Sequence, residues 1–336
     1  MEEHRYARQT LFKPLGTKGQ ERLAVSTAVV VGCGALGSRA AELLARAGVG
    51  RIRVVDRDVV EWSNLQRQAL FGEDDVKAVM PKAAAAERRL RALNSGIAVE
   101  GVVADVTPWN VLEIIGGADV VVDGLDNFEA RYLLNDACVK QNLSWIYGGA
   151  VASYGVTMNV LPGRGPCLRC VFSQMPPPGG PTCDTAGILA PAAAWVAAHQ
   201  AMEAVKILSG NEGAVRRTLL SADLWKNRVE EISLPEEPHA DCPACAKRVF
   251  EFLENTASAH VSLCGRNAVQ VRPARPATLD LEALASRVGG AHRNKYLVQF
   301  SANGCEMTVF ADGRAMISGT DDVTTARSLY AKWVGA

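Results

Sequence analysis

The sequence lacks an excess of charge of either sign and lacks a long apolar run. Its 336 residues include 36 lysines and arginines against 36 aspartates and glutamates, so the formal net charge is zero. Nucleic acids and anionic membranes attract clustered Lys and Arg, and a membrane span needs about 20 consecutive apolar residues. The charged start, MEEHRYARQTLF, also lacks the apolar centre of a signal peptide. We therefore expect a cytoplasmic protein whose partners are neither nucleic acid nor membrane.

Cysteine, by contrast, is not scarce, since the chain has nine. An odd number with two Cys-x-x-Cys pairs is typical of reduced thiols and a metal site rather than of a disulfide framework. Two such pairs complete the tetrahedral ligand set that Zn²⁺ prefers, and four protein ligands close the site. The sequence thus predicts a structural zinc ion, with a dithiol redox pair at either motif as the alternative. The predicted ligands are Cys167, Cys170, Cys242 and Cys245.

A glycine-rich turn lies between an apolar strand and a helical pattern in STAVVVGCGALGSRAAELLARAGVGRIRVVDRD. This is G-x-G-x-x-G in a strand–turn–helix–strand unit. Gly32 permits the tight turn, Gly34 lets a phosphate approach the backbone, and Gly37 lets the helix pack closely. Asp56 ends the second strand, where an acid binds ribose hydroxyls. Taken alone, the unit predicts a nucleotide, and an NAD-dependent oxidoreductase is the first interpretation to test.

Charged residues near the ends of other strands favour ATP over NAD. WSNLQRQ places Asn64 and Arg67 just beyond the second strand. Lys82 falls in the first turn of a predicted helix, where the helix dipole disfavours a cation by roughly 0.3 to 1 kcal/mol, so we expect an anionic group nearby. A solvated surface lysine is the alternative. VVVDGLDN ends a buried strand with Asp123 and Asp126. These acids could cap the next helix, or hold Mg²⁺, which proteins bind through one or two carboxylates plus substrate phosphates.

The order of the elements predicts an α/β fold with a doubly wound, mostly parallel sheet whose first half is a Rossmann-like nucleotide-binding unit. LSWIYGGAVASYGVTMNVLPG indicates two strands with a glycine bend, and AAAWVAAHQAMEAVKILSG a long apolar helix. Beyond CPAC, the sequence indicates a small α+β domain. It comprises one strand (HVSLCGRNAVQVRP), a helix (LDLEALASRV), strands joined at Asn303-Gly304 and Asp312-Gly313, and a last helix (TTARSLYAKWV). We predict domains at 1–255 and 256–336, with a Pro/Gly-rich crossover loop at about 173–187.

Together these motifs resemble the ubiquitin-activating-enzyme-like (E1-like) adenylyltransferases of bacterial sulfur transfer, the ThiF and MoeB type. The likeness runs from Arg5 to Ala246 through RYARQ, the glycine turn, VVDRDVVEWSNLQRQ, PKA, DGLDN, PCLRC, TCDTAG, HQAMEAVKIL and DCPAC, in the family's order. LCGRN and DGR further on resemble the Bacillus-type thiazole-biosynthesis branch. The resemblance implies ATP-dependent adenylation of the C-terminal glycine of a ubiquitin-like sulfur carrier, ThiS-like in thiamine thiazole biosynthesis. Activation of the molybdopterin synthase small subunit, as by MoeB, or of a tRNA-thiolation carrier is the alternative within the family.

The resemblance also implies roles for individual residues. Arg8 would be an arginine finger that reaches the nucleotide of the other subunit of a homodimer. Cys183 would be able to link covalently to the carrier. The catalytic residues would be Arg8, Arg67, Lys82, Asp126 and Cys183, with Asp126 holding Mg²⁺. The ATP site would comprise Gly32, Gly34, Ala35, Gly37, Asp56, Ser63, Asn64, Leu65, Gln66, Arg67, Lys82, Asp126 and Asn127.

The implied cofactors are ATP, Mg²⁺ and Zn²⁺, and the implied partners are a carrier ending in Gly-Gly and a persulfide donor. LCGRNAVQ lacks the cysteine-led loop of a rhodanese, so we expect sulfur to come from a separate protein such as a cysteine desulfurase. Two other classes of function stay open, an NAD-dependent oxidoreductase and a non-enzymatic scaffold. An oxidoreductase needs an acid or base such as His at the hydride pocket, but the five histidines lie outside the nucleotide motifs. A scaffold with a degenerate nucleotide site does not need Arg8, Arg67, Lys82 and Asp126.

Overall fold

Residues 5–175, 183–254, 261–264, 267–273 and 278–335 are described by the computed structural model. The chain folds as two compact units, Met1–Glu254 and Asn255–Ala336. Within the described residues, no helix is both long enough and apolar enough to cross a membrane.

The first unit is built on one eight-stranded sheet. Its strands are β1 (Thr27–Val31), β2 (Arg51–Asp56), β3 (Ala98–Val103), β4 (Val120–Asp123), β5 (Trp145–Val151), β6 (Tyr154–Val160), β7 (Thr218–Asp223) and β8 (Arg228–Ser233). They lie in the order β3-β2-β1-β4-β5-β6-β7-β8. Neighbours from β3 to β5 are parallel, and those from β5 to β8 are antiparallel. The predicted α/β fold with a mostly parallel sheet is confirmed.

Helices cover both faces of this sheet. They are α1 (Ala7–Thr10), α2 (Gly16–Val25), α3 (Ala35–Ala47), α4 (Glu73–Lys77), α5 (Lys82–Leu93), α6 (Val111–Ile114), α7 (Phe128–Lys140), α8 (Leu168–Val171), α9 (Cys183–Ala186), α10 (Ala190–Leu208) and α11 (Glu251–Glu254), with 3-10 turns at Trp62–Asn64 and Glu212–Ala214. Val30 of β1 packs into a core with Leu44 of α3 and Ala204 of α10. Val29 packs on the opposite face in a second core that contains Leu134 of α7. Burial on both faces explains why the central strands are continuous apolar runs.

The bend between β5 and β6 differs from the predicted glycine bend. Ala152 and Ser153 form it, with Ala152 at a φ of 51°. Gly148 instead lies within β5 against the Gln200 side chain, where a Cβ would come 2.4 Å from Nε2. The glycine is therefore needed for close packing against α10 rather than for a change of direction.

The second unit contains a six-stranded antiparallel sheet in the order β11-β12-β13-β14-β10-β9. Its elements are β9 (Val261–Cys264), β10 (Ala268–Val271), α12 (Leu281–Val288), β11 (His292–Arg293), β12 (Leu297–Ala302), β13 (Cys305–Phe310), β14 (Ala315–Ser318) and α13 (Val323–Trp333). The single strand predicted for HVSLCGRNAVQVRP was wrong, because β9 and β10 are two antiparallel strands. Asn267, just before β10, has a φ of 55°, a left-handed conformation that Asn tolerates and a continuous strand excludes. Apart from this strand, the second unit contains strands and two helices, α12 and α13, as the sequence predicts for a small α+β domain.

Candidate functional site

The glycine turn joins β1 to α3, and its three glycines meet different surroundings. A Cβ on Gly32, whose φ is +87°, would lie 2.5 Å from the Gly124 carbonyl oxygen, and one on Gly37 would lie 1.9 Å from the Gly32 carbonyl oxygen. A Cβ on Gly34 would meet no described atom closer than 3.9 Å. Gly34 precedes Ala35, the first residue of α3, whose N-terminal N–H groups form a natural anion site. Gly32 and Gly37 thus permit packing, whereas Gly34 leaves room for a ligand.

Gly124, just after β4, packs against Gly32 of the glycine turn, and the sequence analysis did not identify it. A Cβ there would lie 2.2 Å from the Gly32 carbonyl oxygen. The two turns therefore touch through their backbones, and only glycines allow the approach. The available signal was DGLDN, where glycine follows the acid that ends β4.

Asp56 ends β2 and is nearly fully buried. Its Oδ2 accepts a hydrogen bond from the Cys33 N–H at 2.6 Å, and its Oδ1 accepts one from the Asp58 N–H at 2.8 Å. Burial raises the pKa of the Asp56 carboxyl, against the opposing effect of the nearby Lys82 cation. This acid fixes the glycine turn, and the ribose-binding role that the family resemblance implies for it stays a prediction.

Lys82 begins α5, and its side chain is buried. Its Nζ lies 3.2 Å from Oδ2 of Asp58. Although burial lowers it, the Asp58 and Asp56 carboxylates together raise the pKa of Lys82 above its ordinary value, with a smaller contribution from Asp126. The anionic group expected at this helix start is therefore present in the protein itself. Sequence reasoning missed Asp58, for which the second acid of VVDRD was the available signal.

The segment from Ser63 to Arg67 overlaps the 3-10 turn Trp62–Asn64. Asn64 is buried, and its Oδ1 accepts the Glu61 N–H at 3.1 Å. The half-buried Arg67 donates to the Ser63 carbonyl at 2.7 Å. Gln66 donates to the Ile188 carbonyl at 3.5 Å, while Leu65 ends the turn. These bonds hold the segment that the family resemblance assigns to the phosphates.

The two acids after β4 have different surroundings. Asp123 is fully buried, and its Oδ2 lies 3.0 Å from Nε of Arg131 on α7. Asp126 is exposed, and the Asn127 side chain donates to it at 3.1 Å. Asn127 also caps α7 by accepting the Ala130 N–H at 2.9 Å. The acids therefore do not cap this helix, and Asp126 is the one accessible to a cation.

Arg131 is a second residue that sequence reasoning missed. Its Nη2 donates to the carbonyls of Leu125 and Gly148 at 2.6 and 2.8 Å. Burial lowers the pKa of Arg131, but the Asp123 carboxylate more than offsets this, so the group stays charged. The ion pair thus fixes the turn that carries Asp126 against β5. An arginine inside a helix pattern carries no sequence signal for this role.

The structure does not bring every predicted residue to this site. Arg8 is exposed on the short α1. Cys183 is the first residue of α9, but its side chain lies outside the described residues, as does 176–182 of the predicted crossover loop. No described contact joins Arg8 to the groups around the glycine turn.

The four predicted zinc ligands lie together, at the start of α8 and in the 242–245 turn. Their Sγ atoms are all within 4.8 Å of one another, and Cys170 and Cys245 are 3.3 Å apart. Hydrogen bonds with neighbouring thiols lower the pKa of Cys242 and raise that of Cys167. Asn135 of α7 holds the turn by accepting the Leu168 N–H at 2.9 Å. Four converging sulfurs fit Zn²⁺, which thiolates bind tetrahedrally.

Comparison with known proteins gives consistent matches. The sequence model of the ThiF family matches residues 6–244. The sulfur carrier protein ThiS adenylyltransferase of Bacillus subtilis is 50% identical over 98% of this chain and 99% of its own length. The SAMP-activating enzyme E1 of Haloferax volcanii is 41% identical, over 75% of this chain and 92% of its own. Among solved structures, Escherichia coli MccB with ATP has a TM-score of 0.62 at 25% identity, covering 72% of this chain and 74% of that one.

Proposed function

The chain belongs to the ThiF family, and on that premise we propose that it adenylates the C-terminal glycine of a ThiS-like sulfur carrier. The observation that carries the proposal is the 50% identity to the Bacillus subtilis ThiS adenylyltransferase along nearly the whole of both chains. That similarity extends through the second unit, which favours the thiazole branch of thiamine biosynthesis. Activation of a molybdopterin synthase subunit or of a tRNA-thiolation carrier is the alternative pathway.

In the proposed reaction, an oxygen of the carrier's C-terminal carboxylate attacks the α-phosphorus of ATP. The bond from that phosphorus to the bridging oxygen breaks, pyrophosphate leaves, and an acyl-adenylate remains on the carrier. The nucleophile is already anionic, so the protein needs no general base. Its task is to bind and orient the triphosphate and to neutralise the charge that develops on pyrophosphate.

The residues around the glycine turn suit that task. Gly34 leaves space for phosphate at the start of α3, and Lys82 supplies a charged ammonium group. Arg67 supplies a second cation, and Asp126 would hold Mg²⁺, which neutralises phosphate charge when bound. Arg8 would come from the other subunit of a homodimer.

The zinc site, the sulfur donor and Cys183 are not needed for the adenylation step itself. Cys167, Cys170, Cys242 and Cys245 would hold a structural Zn²⁺. The outer sulfur of a persulfide on a donor, such as a cysteine desulfurase, would attack the acyl carbon and displace AMP. A second thiol would then reduce the resulting acyl disulfide, which releases the thiocarboxylate and leaves a disulfide, and we propose Cys183 as the covalent or relay residue in these steps. The free cysteines and the thiolate metal site favour a reducing compartment, so we propose the cytoplasm.

The oxidoreductase alternative receives no support from His199, the histidine of the long helix α10. Its ring packs edge-on against Trp195, with ring centroids 4.5 Å apart. Burial lowers its pKa, which disfavours the protonated form, and the ring contact makes it a packing group. Titration with ATP and with NAD separates the alternatives, and we expect the protein to bind ATP alone.

Pyrophosphate exchange tests the proposal. Labelled pyrophosphate should enter ATP when a carrier ending in Gly-Gly is added, and should not do so with the same carrier lacking its last glycine. Asp126→Ala should abolish exchange, whereas the matched control Asp74→Ala, an exposed acid on α4, should retain it. Cys183→Ser should keep exchange and lose only later sulfur transfer. Absence of exchange with every Gly-Gly carrier tried would reject the proposed function.

A further inference from the structure

Asp58 lies directly opposite Lys82 because two loop segments pair there. Val59 and Pro81 form an antiparallel bridge, and the Val60 N–H donates to the Met80 carbonyl at 2.9 Å. The Lys82 N–H then donates to the Asp58 carbonyl, also at 2.9 Å. The backbone of Asp58 thus fixes the start of α5, from which the Lys82 side chain extends.

The Asp58 carboxylate lies between two cations. Its Oδ2 is 3.2 Å from Nζ of Lys82, and its Oδ1 is 3.7 Å from Nε of Arg57. Nη1 of Arg57 is in turn 3.5 Å from Oδ1 of Asp105, beyond the end of β3. The Asp58 N–H donates to Asp56, which holds the glycine turn. Through its backbone and its carboxylate together, Asp58 therefore connects the ends of two strands, the glycine turn and the start of α5.

The two partners of the Lys82 ion pair differ in exposure. The side chain of Lys82 is 9% exposed and that of Asp58 is 35% exposed. A lysine side chain is long and flexible and carries a compact charge that adopts no fixed geometry by itself. The Asp58 carboxylate restricts where the Lys82 ammonium group can lie. Because the carboxylate also offsets part of the lysine charge, it does not increase the attraction of the site for phosphates.

We propose that Asp58 is a positioning residue for adenylation, which holds the Lys82 ammonium group where charge develops on the departing pyrophosphate. This inference rests on the proposed adenylation. Asp58 touches neither ATP nor the carrier in this proposal and acts through Lys82 alone. Its loss should therefore weaken stabilisation of the transition state more than binding of ATP.

Steady-state pyrophosphate exchange with the full chain and a Gly-Gly carrier tests this inference. Asp58→Asn should lower kcat at least about tenfold and leave the KM for ATP within about threefold. Asp58→Glu, which keeps a carboxylate beside the lysine, should recover part of the loss. Asp74→Asn removes an equal charge from an exposed position and should keep the kcat of the unmodified protein. A smaller folded fraction would also lower the apparent kcat at constant KM, so kcat is expressed per site that binds ATP, as counted by titration. A loss of kcat that persists after this correction and is partly recovered by Glu is specific to positioning.

The outcomes separate this inference from the proposed function. Exchange by the unmodified protein together with an unchanged kcat in Asp58→Asn would reject only the positioning role. A rise in the KM for ATP with constant kcat would also reject it, because Asp58 would then affect binding. If Asp58→Asn does not fold, Asp58→Ser replaces it with the same expected split. Failure of both to fold would make the carboxylate a folding requirement and overturn the inference.

Discussion

Asp136, on α7, is a fully buried carboxylate that follows Asn135, the residue that holds the first turn of the cysteine cluster. Its Oδ2 accepts the Phe252 N–H of α11 at 3.1 Å, and the Phe252 ring stacks on Tyr132 with centroids 5.1 Å apart. Burial raises the pKa of Asp136 to about 6. A buried acid with a raised pKa favours the folded state when it is protonated, so this residue links the stability of the fold to pH.

We predict that this link shows in the pH dependence of unfolding. The folded pKa of about 6 exceeds an unfolded value of about 3.9, so the contribution of Asp136 is largest at low pH and falls as pH rises through 6. Relative to Asp136→Asn, the unmodified protein should lose about 1.4 kcal/mol of unfolding free energy between pH 5 and pH 8. Urea unfolding of both proteins at the two pH values, with equal zinc, measures this. A stability difference that is the same at both pH values would contradict the prediction.

The least predictable part of the site was which acidic residue forms an ion pair with each buried cation. The helix dipole indicated an anion near Lys82, but Asp58 could not be chosen from sequence because its approach depends on the pairing of 58–60 with 80–82. Likewise, Asp123 and Asp126 looked equivalent, and only the buried Arg131 separates them. Pairing between segments, rather than residue type, decides which acid is structural.

At the scale of elements, the strand–turn–helix unit was predictable because its signals are local. The apolar run, the glycines and the helical pattern follow one another within a short stretch, and the structure forms β1, the turn and α3 there. The approach of Gly124 to this turn was not predictable, because it requires β4 to lie beside β1. The antiparallel split of β9 and β10 was missed although Gly265, Arg266 and Asn267 interrupt the apolar pattern between the two strands.

Alanine at two glycines of this turn should affect different properties, the stability of the fold at Gly37 and the binding of ATP at Gly34. In Gly37→Ala the new Cβ overlaps the Gly32 carbonyl at 1.9 Å, so we expect a loss of more than about 2 kcal/mol of unfolding free energy. In Gly34→Ala the Cβ has room, so the fold should keep its stability, but ATP should bind at least about tenfold more weakly. Thermal unfolding and ATP titration measure the pair. Equal destabilisation by both substitutions would show that Gly34 also serves packing.

The cysteine cluster joins elements that are far apart in sequence. We predict that the isolated protein contains one zinc ion per chain and that Cys245→Ser loses it, with a fall in melting temperature of at least about 5 °C. Cys305→Ser, at a buried cysteine of the second unit, should keep the zinc. Metal analysis and thermal unfolding decide the matter. A zinc-free protein of unchanged stability would reject a structural metal.

For the whole molecule, composition and element order predicted the α/β class and the sheet, because these depend on patterns summed over many residues. The spatial order of the strands and the antiparallel half from β5 to β8 follow from packing that no local pattern specifies. The division at 1–255 and 256–336 and the homodimer stay predictions. The role of Arg8 also belongs to this scale, since it concerns a residue of one subunit at the nucleotide of another.

Mixing two inactive variants tests that role. Arg8→Ala and Asp126→Ala should each be inactive in carrier-dependent exchange. After subunits exchange, a mixed dimer has one site with both residues intact, so an equal mixture should regain about one quarter of full activity. Recovery should require time for subunit exchange and should be absent in either variant alone. No recovery in a sample shown to contain mixed dimers would place Arg8 outside the partner's site.

The most direct test of the central claim follows the α-phosphate of ATP onto the carrier. With ATP labelled at the α-phosphate, a Gly-Gly carrier and inorganic pyrophosphatase, label should appear on the carrier and be released by thiol or hydroxylamine. With ATP labelled at the γ-phosphate, the carrier should stay unlabelled. Transfer of the γ-label instead, or no transfer of either label by a protein that binds ATP, would contradict adenylation.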